Sequence, residues 1–135
     1  MKHRFNPIKD KSAEIIEWIM NSPDMPNDDD ALFKIRLAVE ETVENVVRYA
    51  YSGGIGWLEV GTEFDTSSLI LSIELRDAGV PFNPLLAPDP DVTLSAEDRQ
   101  IGGLGIFLCK QLMDSVTYNY IDNCNVLHMQ KKING

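Results

Sequence analysis

Gly102, Gly103 and Gly105 stand at the head of an apolar run, Leu104 to Leu108, that continues in helical fashion to about Met113. Each glycine in a helix costs about 1 kcal/mol relative to alanine, so three of them at a helix start call for a compensating interaction. An anion supplies it. With no side chains in the way, the N–H groups of residues 103 to 106 can approach a phosphate closely, and the helix dipole adds to the attraction. Two other glycine motifs are excluded. No Gly-Lys-Ser/Thr follows, as a P-loop requires, and the spacing and late position do not fit a dinucleotide-binding fingerprint after a first strand.

Two further segments precede the glycines in fixed order: Glu41-Thr-Val-Glu-Asn45 and Asp77-Ala-Gly79-Val-Pro81-Phe82. From about Asp29 to Tyr51, Leu32, Ile35, Val39, Val43, Val46 and Ala50 recur at intervals of three and four, which predicts one long helix with a single buried stripe. Glu41 and Asn45 share a face off that stripe, with Arg48 next along it. An asparagine carbonyl is a neutral oxygen ligand suited to Mg2+, and a carboxylate one turn earlier can orient or deprotonate an attacking hydroxyl. The same spacing also fits an ordinary solvated helix face. Asp77 follows a buried strand ending at Arg76, where a partly dry carboxylate can accept from the amino group of adenine and reject guanine, whose carbonyl stands in that place. Gly79 would let a base lie against the backbone and Pro81 would fix the turn, although such a segment is also a good loop opener.

Taken together, the three boxes resemble the GHKL superfamily of ATP-binding proteins, and their wording is most similar to its anti-sigma-factor serine-protein kinases, the RsbW-like group. The resemblance runs from the helix of Glu41 and Asn45 to the asparagine-ended turn before Val126-Leu127-His128-Met129. It implies the Bergerat-type two-layer sandwich, with ATP between the helices under a lid at about 83–101. It also implies that Asn45 binds the Mg2+ bridging the ATP phosphates and that Glu41 is the catalytic base toward a serine hydroxyl. Asp77, Gly79, Pro81 and Phe82 would form the base-binding box, and Gly102, Gly103, Leu104, Gly105 and Ile106 the phosphate box. One departure is visible: Tyr49-Ala50-Tyr51 stands where the kinase group often has His-Ala-Tyr. Preceded by Arg48, that text is closer to sensor histidine kinases, in which a basic residue here touches phosphate; the alternative is a plain surface arginine. Arg99 could reach the γ-phosphate on lid closure, or pair with Glu97 or Asp98.

The activity implied is transfer of the ATP γ-phosphoryl group to serine or threonine on a small anti-sigma antagonist of the STAS type. The same domain would sequester a sigma factor and form a homodimer. The alternatives are a non-catalytic ATP-binding partner-switching module and a stand-alone histidine-kinase-like catalytic domain.

The remaining features are compatible with this. The 135 residues suit one domain, 1–135, and the net charge of −9 argues against direct nucleic-acid binding. Positive potential for a nucleotide must then come from backbone amides, a metal ion and a few placed cations. Cys109 and Cys124 are too few for a zinc site and are expected free rather than bridged. No apolar leader opens the chain and no segment is long enough to cross a bilayer, so a cytoplasmic protein without membrane contact is expected. The pattern predicts a short strand near 3–8, a helix over 11–20 capped by Asp10 or Ser12, and strands at 57–60 and 69–75. Beyond these it predicts a long loop from 83 to about 100, a helix from 103 to about 113, and a closing hairpin of 116–120 with 126–130 around Asp122-Asn123. The fold class is therefore α/β, an α+β two-layer sandwich whose mixed, mostly antiparallel sheet carries helices on one face.

Overall fold

A computed structural model describes residues 1–52, 55–86 and 103–133. The chain runs β1 (Lys2–Phe5), α1 (Ser12–Met20), α2 (Asp29–Tyr49), β2 (Leu58–Asp65), β3 (Ile70–Asp77), a 3-10 turn (Pro84–Leu86), α3 (Gly103–Leu112), β4 (Ser115–Ile121) and β5 (Cys124–Lys132). The strands form one sheet in the order β1-β2-β3-β5-β4, and all four pairings are antiparallel. The last strand in sequence thus enters beside β3 and pushes β4 to the edge.

Alternation decides which face is covered. Along β3, Leu71, Ile73, Leu75 and Asp77 are buried while Ile70, Ser72, Glu74 and Arg76 are half-exposed, as expected for a sheet with one face against a core and one toward water. The inward Leu71, Ile73 and Leu75 join Ile15 and Ile19 of α1, Ile35, Val39 and Val43 of α2 and Cys109 of α3 in a single apolar cluster. The three helices therefore share the inner face, which is the expected two-layer sandwich. Among the described residues no helix is long and apolar enough to cross a membrane.

Local chemistry accounts for the helix starts, with one correction. Asp28 caps α2 by accepting from the N–H groups of Asp30 and Ala31, and Asp29 and Asp30 in the first turn favour the positive end of the dipole. At α1 neither Asp10 nor Ser12 is the cap. Asp10 lies in a left-handed turn with φ of 60°, so Lys11 takes the capping position with no side-chain bond. The β4–β5 turn is as read: Asp122 and Asn123 have φ of 53° and 61°, the left-handed pair that a two-residue hairpin turn requires. Cys109 and Cys124 are both buried and free.

Most of the expected loop at 83–101, Arg99 within it, and Gly102 lie outside the described residues, as do Gly53 and Gly54.

Candidate functional site

A cleft of about 480 Å³, counting its open mouth, lies between α2 and the sheet where β3 and β5 end and begin. Its walls are mainly apolar, from Val46, Ala50, Leu75, Val80 and Leu127, with a few polar groups from Thr42, Asn45, Asp77, Tyr118 and Asn125. An apolar slot with a small set of convergent polar groups is the usual form of a small-molecule site.

Asp77 is the last residue of β3 and is only 4% exposed. Asn125, its Cα partner on β5, donates Nδ2 to Asp77 Oδ1 at 3.0 Å, and the Gly79 N–H donates to the same oxygen at 2.9 Å. Burial pushes the Asp77 carboxyl above the usual carboxylate range, and these two bonds pull it back.

The segment after Asp77 is fastened to the end of α2. The Val80 N–H donates to Ala50 O at 3.0 Å, and the Tyr51 hydroxyl accepts from the Ala78 N–H at 2.8 Å while donating to Trp57 O at 2.7 Å. Tyr51 thereby joins the end of α2 to both ends of the β2–β3 hairpin and fixes Asp77 relative to Asn45. Tyr51→Phe removes both bonds and takes the hydroxyl donor away from the part-buried Trp57 carbonyl. It is expected to cost about 1–3 kcal/mol, read as a lower urea midpoint at unchanged m value.

Of the expected site residues, Asn45, Asp77 and Phe82 line one cleft. Gly79 and Pro81 lie in the loop between Asp77 and Phe82, whose ring faces that of Tyr49 with centroids 6.3 Å apart at the mouth. Glu41 and Arg48 are on α2 but outside the cleft lining. Arg48 is exposed, its guanidinium 5.8 Å from the Tyr49 ring. Glu41 is half-buried, and its charge, after burial itself, helps push the Cys109 thiol on α3 up to about 12. The neighbouring acid Glu40 is already paired, accepting from Arg36 Nε at 2.9 Å. Gly103, Leu104, Gly105 and Ile106 form the first turn of α3, as the glycine cluster suggests.

Sequence reasoning missed Asn125, Tyr118 and Thr42. A lone buried asparagine in the run Cys124-Asn125-Val126-Leu127 was the available signal for the first, since an amide among apolar strand residues needs buried partners. Thr42 was hidden by its hydroxyl, which donates to Ala38 O at 2.9 Å and so is satisfied inside the helix.

Comparison with known proteins gives the family of the chain. Serine-protein kinase RsbW of Listeria monocytogenes is 32% identical over 109 residues, covering 78% of this chain and 68% of that protein. Serine/threonine-protein kinase BtrW of Bordetella bronchiseptica is 26% identical over 95 residues, 70% of this chain and 66% of its own length. The histidine kinase domain of the Erythrobacter litoralis EL346 blue-light activated histidine kinase shares the fold at a TM-score of 0.59 and 14% identity. That match covers 89% of this chain but only 57% of the solved one. The family model described as histidine kinase-like ATPase domain matches residues 14–131, and the chain belongs to that family.

Proposed function

We propose that the chain is an ATP- and Mg2+-dependent serine/threonine protein kinase of the anti-sigma-factor type, acting in the cytoplasm on a small partner protein. The observation that carries this reading is the meeting in one cleft of a buried carboxylate, Asp77, and a helix amide, Asn45, in a chain that belongs to an ATPase-domain family. The relatives named as serine and serine/threonine kinases support a hydroxyl as the phosphoryl acceptor.

In this reading Asp77 accepts from the adenine amino group while the apolar walls cover the ring. The first turn of α3, Gly103 to Ile106, would offer backbone N–H groups to the phosphates, with Gly102, Arg99 and Arg48 as further phosphate contacts. Asn45 would hold Mg2+ through its side-chain oxygen. The donor fits that ion: Asn45 brings a neutral amide oxygen to the cleft wall, and Mg2+ commonly takes one or two protein oxygens, phosphate oxygens and water. When bound, the ion neutralises charge on the phosphates. Glu41 would take the proton as the serine oxygen bonds to the γ-phosphorus and ADP leaves. The STAS-type antagonist, the sigma factor and the homodimer belong to the same proposal and are supported by the motif resemblance.

Calorimetric titration with ATP, with and without Mg2+, tests it. The wild-type protein is expected to bind ATP more tightly with the metal. Asn45→Ala is expected to lose that gain, weakening binding about tenfold or more, the equivalent of about 1.4 kcal/mol. Equal affinities would remove Asn45 from the site. Transfer of phosphate in an acid-stable form identifies the hydroxyl acceptor, whereas an acid-labile product would point to histidine.

A further inference from the structure

Asn125 is buried at the floor of the cleft, and each end of its amide makes two or more hydrogen bonds. Its Oδ1 accepts from the Phe82 N–H at 3.1 Å and from the Tyr118 hydroxyl. Its Nδ2 donates to Val80 O at 2.8 Å as well as to Asp77 Oδ1 at 3.0 Å. An amide turned end for end would set its oxygen against two acceptors and its nitrogen against the Phe82 N–H, so only one orientation satisfies its neighbours. That orientation delivers a donor to Asp77.

We propose that Asn125 is the positioning residue that makes this cleft select adenine over guanine, by holding Asp77 as a fixed acceptor. The inference rests on the ATP-site reading above. Among the described residues both hydrogen bonds to the Asp77 carboxylate end on Oδ1, which leaves Oδ2 for the exocyclic group of a purine. Adenine presents an amino donor there and guanine a carbonyl, so a carboxylate that only accepts binds the first and repels the second. A protonated carboxyl could donate as well, and the discrimination would fade. Burial drives Asp77 toward that protonated form, and the bonds from Asn125 and Gly79 oppose it. No charged side chain among the described residues contributes to this balance. The titratable groups facing Asp77 are Tyr51 at the end of α2 and Tyr118 on β4, and burial pushes both upward, away from ionisation near neutral pH.

Asn125→Asp separates this role from a structural one. The substitution keeps an acceptor for Phe82 and Tyr118 but replaces the donor to Asp77 with a second carboxyl, and the two must then share a proton. ATP and GTP affinities of the full chain, measured by calorimetry between about pH 6 and 8, give the readout, with a thermal melt to show folding. The wild type is expected to prefer ATP with little pH dependence. Asn125→Asp is expected to bind ATP about tenfold or more weakly at the upper end and to recover as pH falls, since one proton lost or gained per site changes affinity about tenfold per pH unit. Asn125→Ser removes the donor without adding charge, and should narrow the ATP-to-GTP ratio about fivefold or more without the pH dependence; it serves if the first variant does not fold. A folded variant with the wild-type ratio and pH profile overturns the role of Asn125 while leaving the ATP site standing. A wild-type protein that binds neither nucleotide overturns both.

Discussion

Glu41→Ala is expected to bind ATP with wild-type affinity and to transfer phosphate about 10²- to 10⁴-fold more slowly, the range over which a positioned general base acts. The separation of the two effects follows from where α2 puts its side chains. Asn45 lines the cleft and Glu41, one turn earlier, does not, so truncating Glu41 leaves the lining of that cleft unchanged. Its charge acts on the Cys109 thiol of α3, so the carboxylate lies within electrostatic reach of the helix that the glycines begin. An acceptor hydroxyl approaching the phosphates from that side would meet it. Nor is the assignment shared with its neighbour, because Glu40 is engaged by Arg36. Initial rates of labelled phosphate transfer at saturating ATP, beside the calorimetric affinity, separate binding from chemistry. Normal turnover in the variant would end the role of Glu41 as base.

How far such a site can be read from sequence depends on how local its causes are. The α2 stripe and the β3 alternation are periodic over a few residues, and the Asp122-Asn123 turn is set by two residues that tolerate positive φ, so these were legible, whereas β2, expected at 57–60, runs on through Gly61 and Thr62 to Asp65. The limits show at Ala31, Ala38 and Thr42, which complete the buried face of α2 but are too small or too polar to register in an apolar count. Asn125 was illegible for a different reason. Its partners Asp77 and Phe82 lie 48 and 43 residues away, and only the β3–β5 register, which inserts the last strand beside the middle one, brings them together. Tyr51 drew notice as part of a motif variant, whereas its hydroxyl links three chain segments that no short pattern connects. The segments Glu41–Asn45 and Asp77–Phe82 could be picked out because each is a run of adjacent residues; the groups that fasten the second, Tyr51 and Asn125, are scattered, and so were missed.

Gly79→Ala is expected to be the most disruptive small substitution in the loop around the cleft. The sequence reading gave Gly79 a role in letting a base lie against the backbone, and the structure gives it a nearer neighbour. A Cβ there would stand 2.0 Å from Ala50 O and 2.6 Å from Ala50 C, backbone atoms at the end of α2 that cannot rotate away as a side chain would. Nor can the loop simply lift. The Val80 N–H is bonded to the same Ala50 oxygen at 3.0 Å and the Gly79 N–H to Asp77 Oδ1 at 2.9 Å, so relieving the overlap stretches one bond or the other and swings Asp77 from its place. Overpacking of this kind costs about 1–3 kcal/mol, and the loss of a bond to a buried carboxylate adds about 1–3 kcal/mol more. Gly61→Ala supplies the control. On β2 the nearest atom to a new Cβ is 3.9 Å away, and the lower backbone entropy of alanine makes that change neutral or slightly stabilising. Urea unfolding of the two variants side by side, followed by ATP titration of each, should show a reduced midpoint and weakened binding for Gly79→Ala alone. Equal midpoints would mean that the loop and α2 do not meet as closely as drawn, and the frame holding Asp77 against Asn45 would fall with that contact.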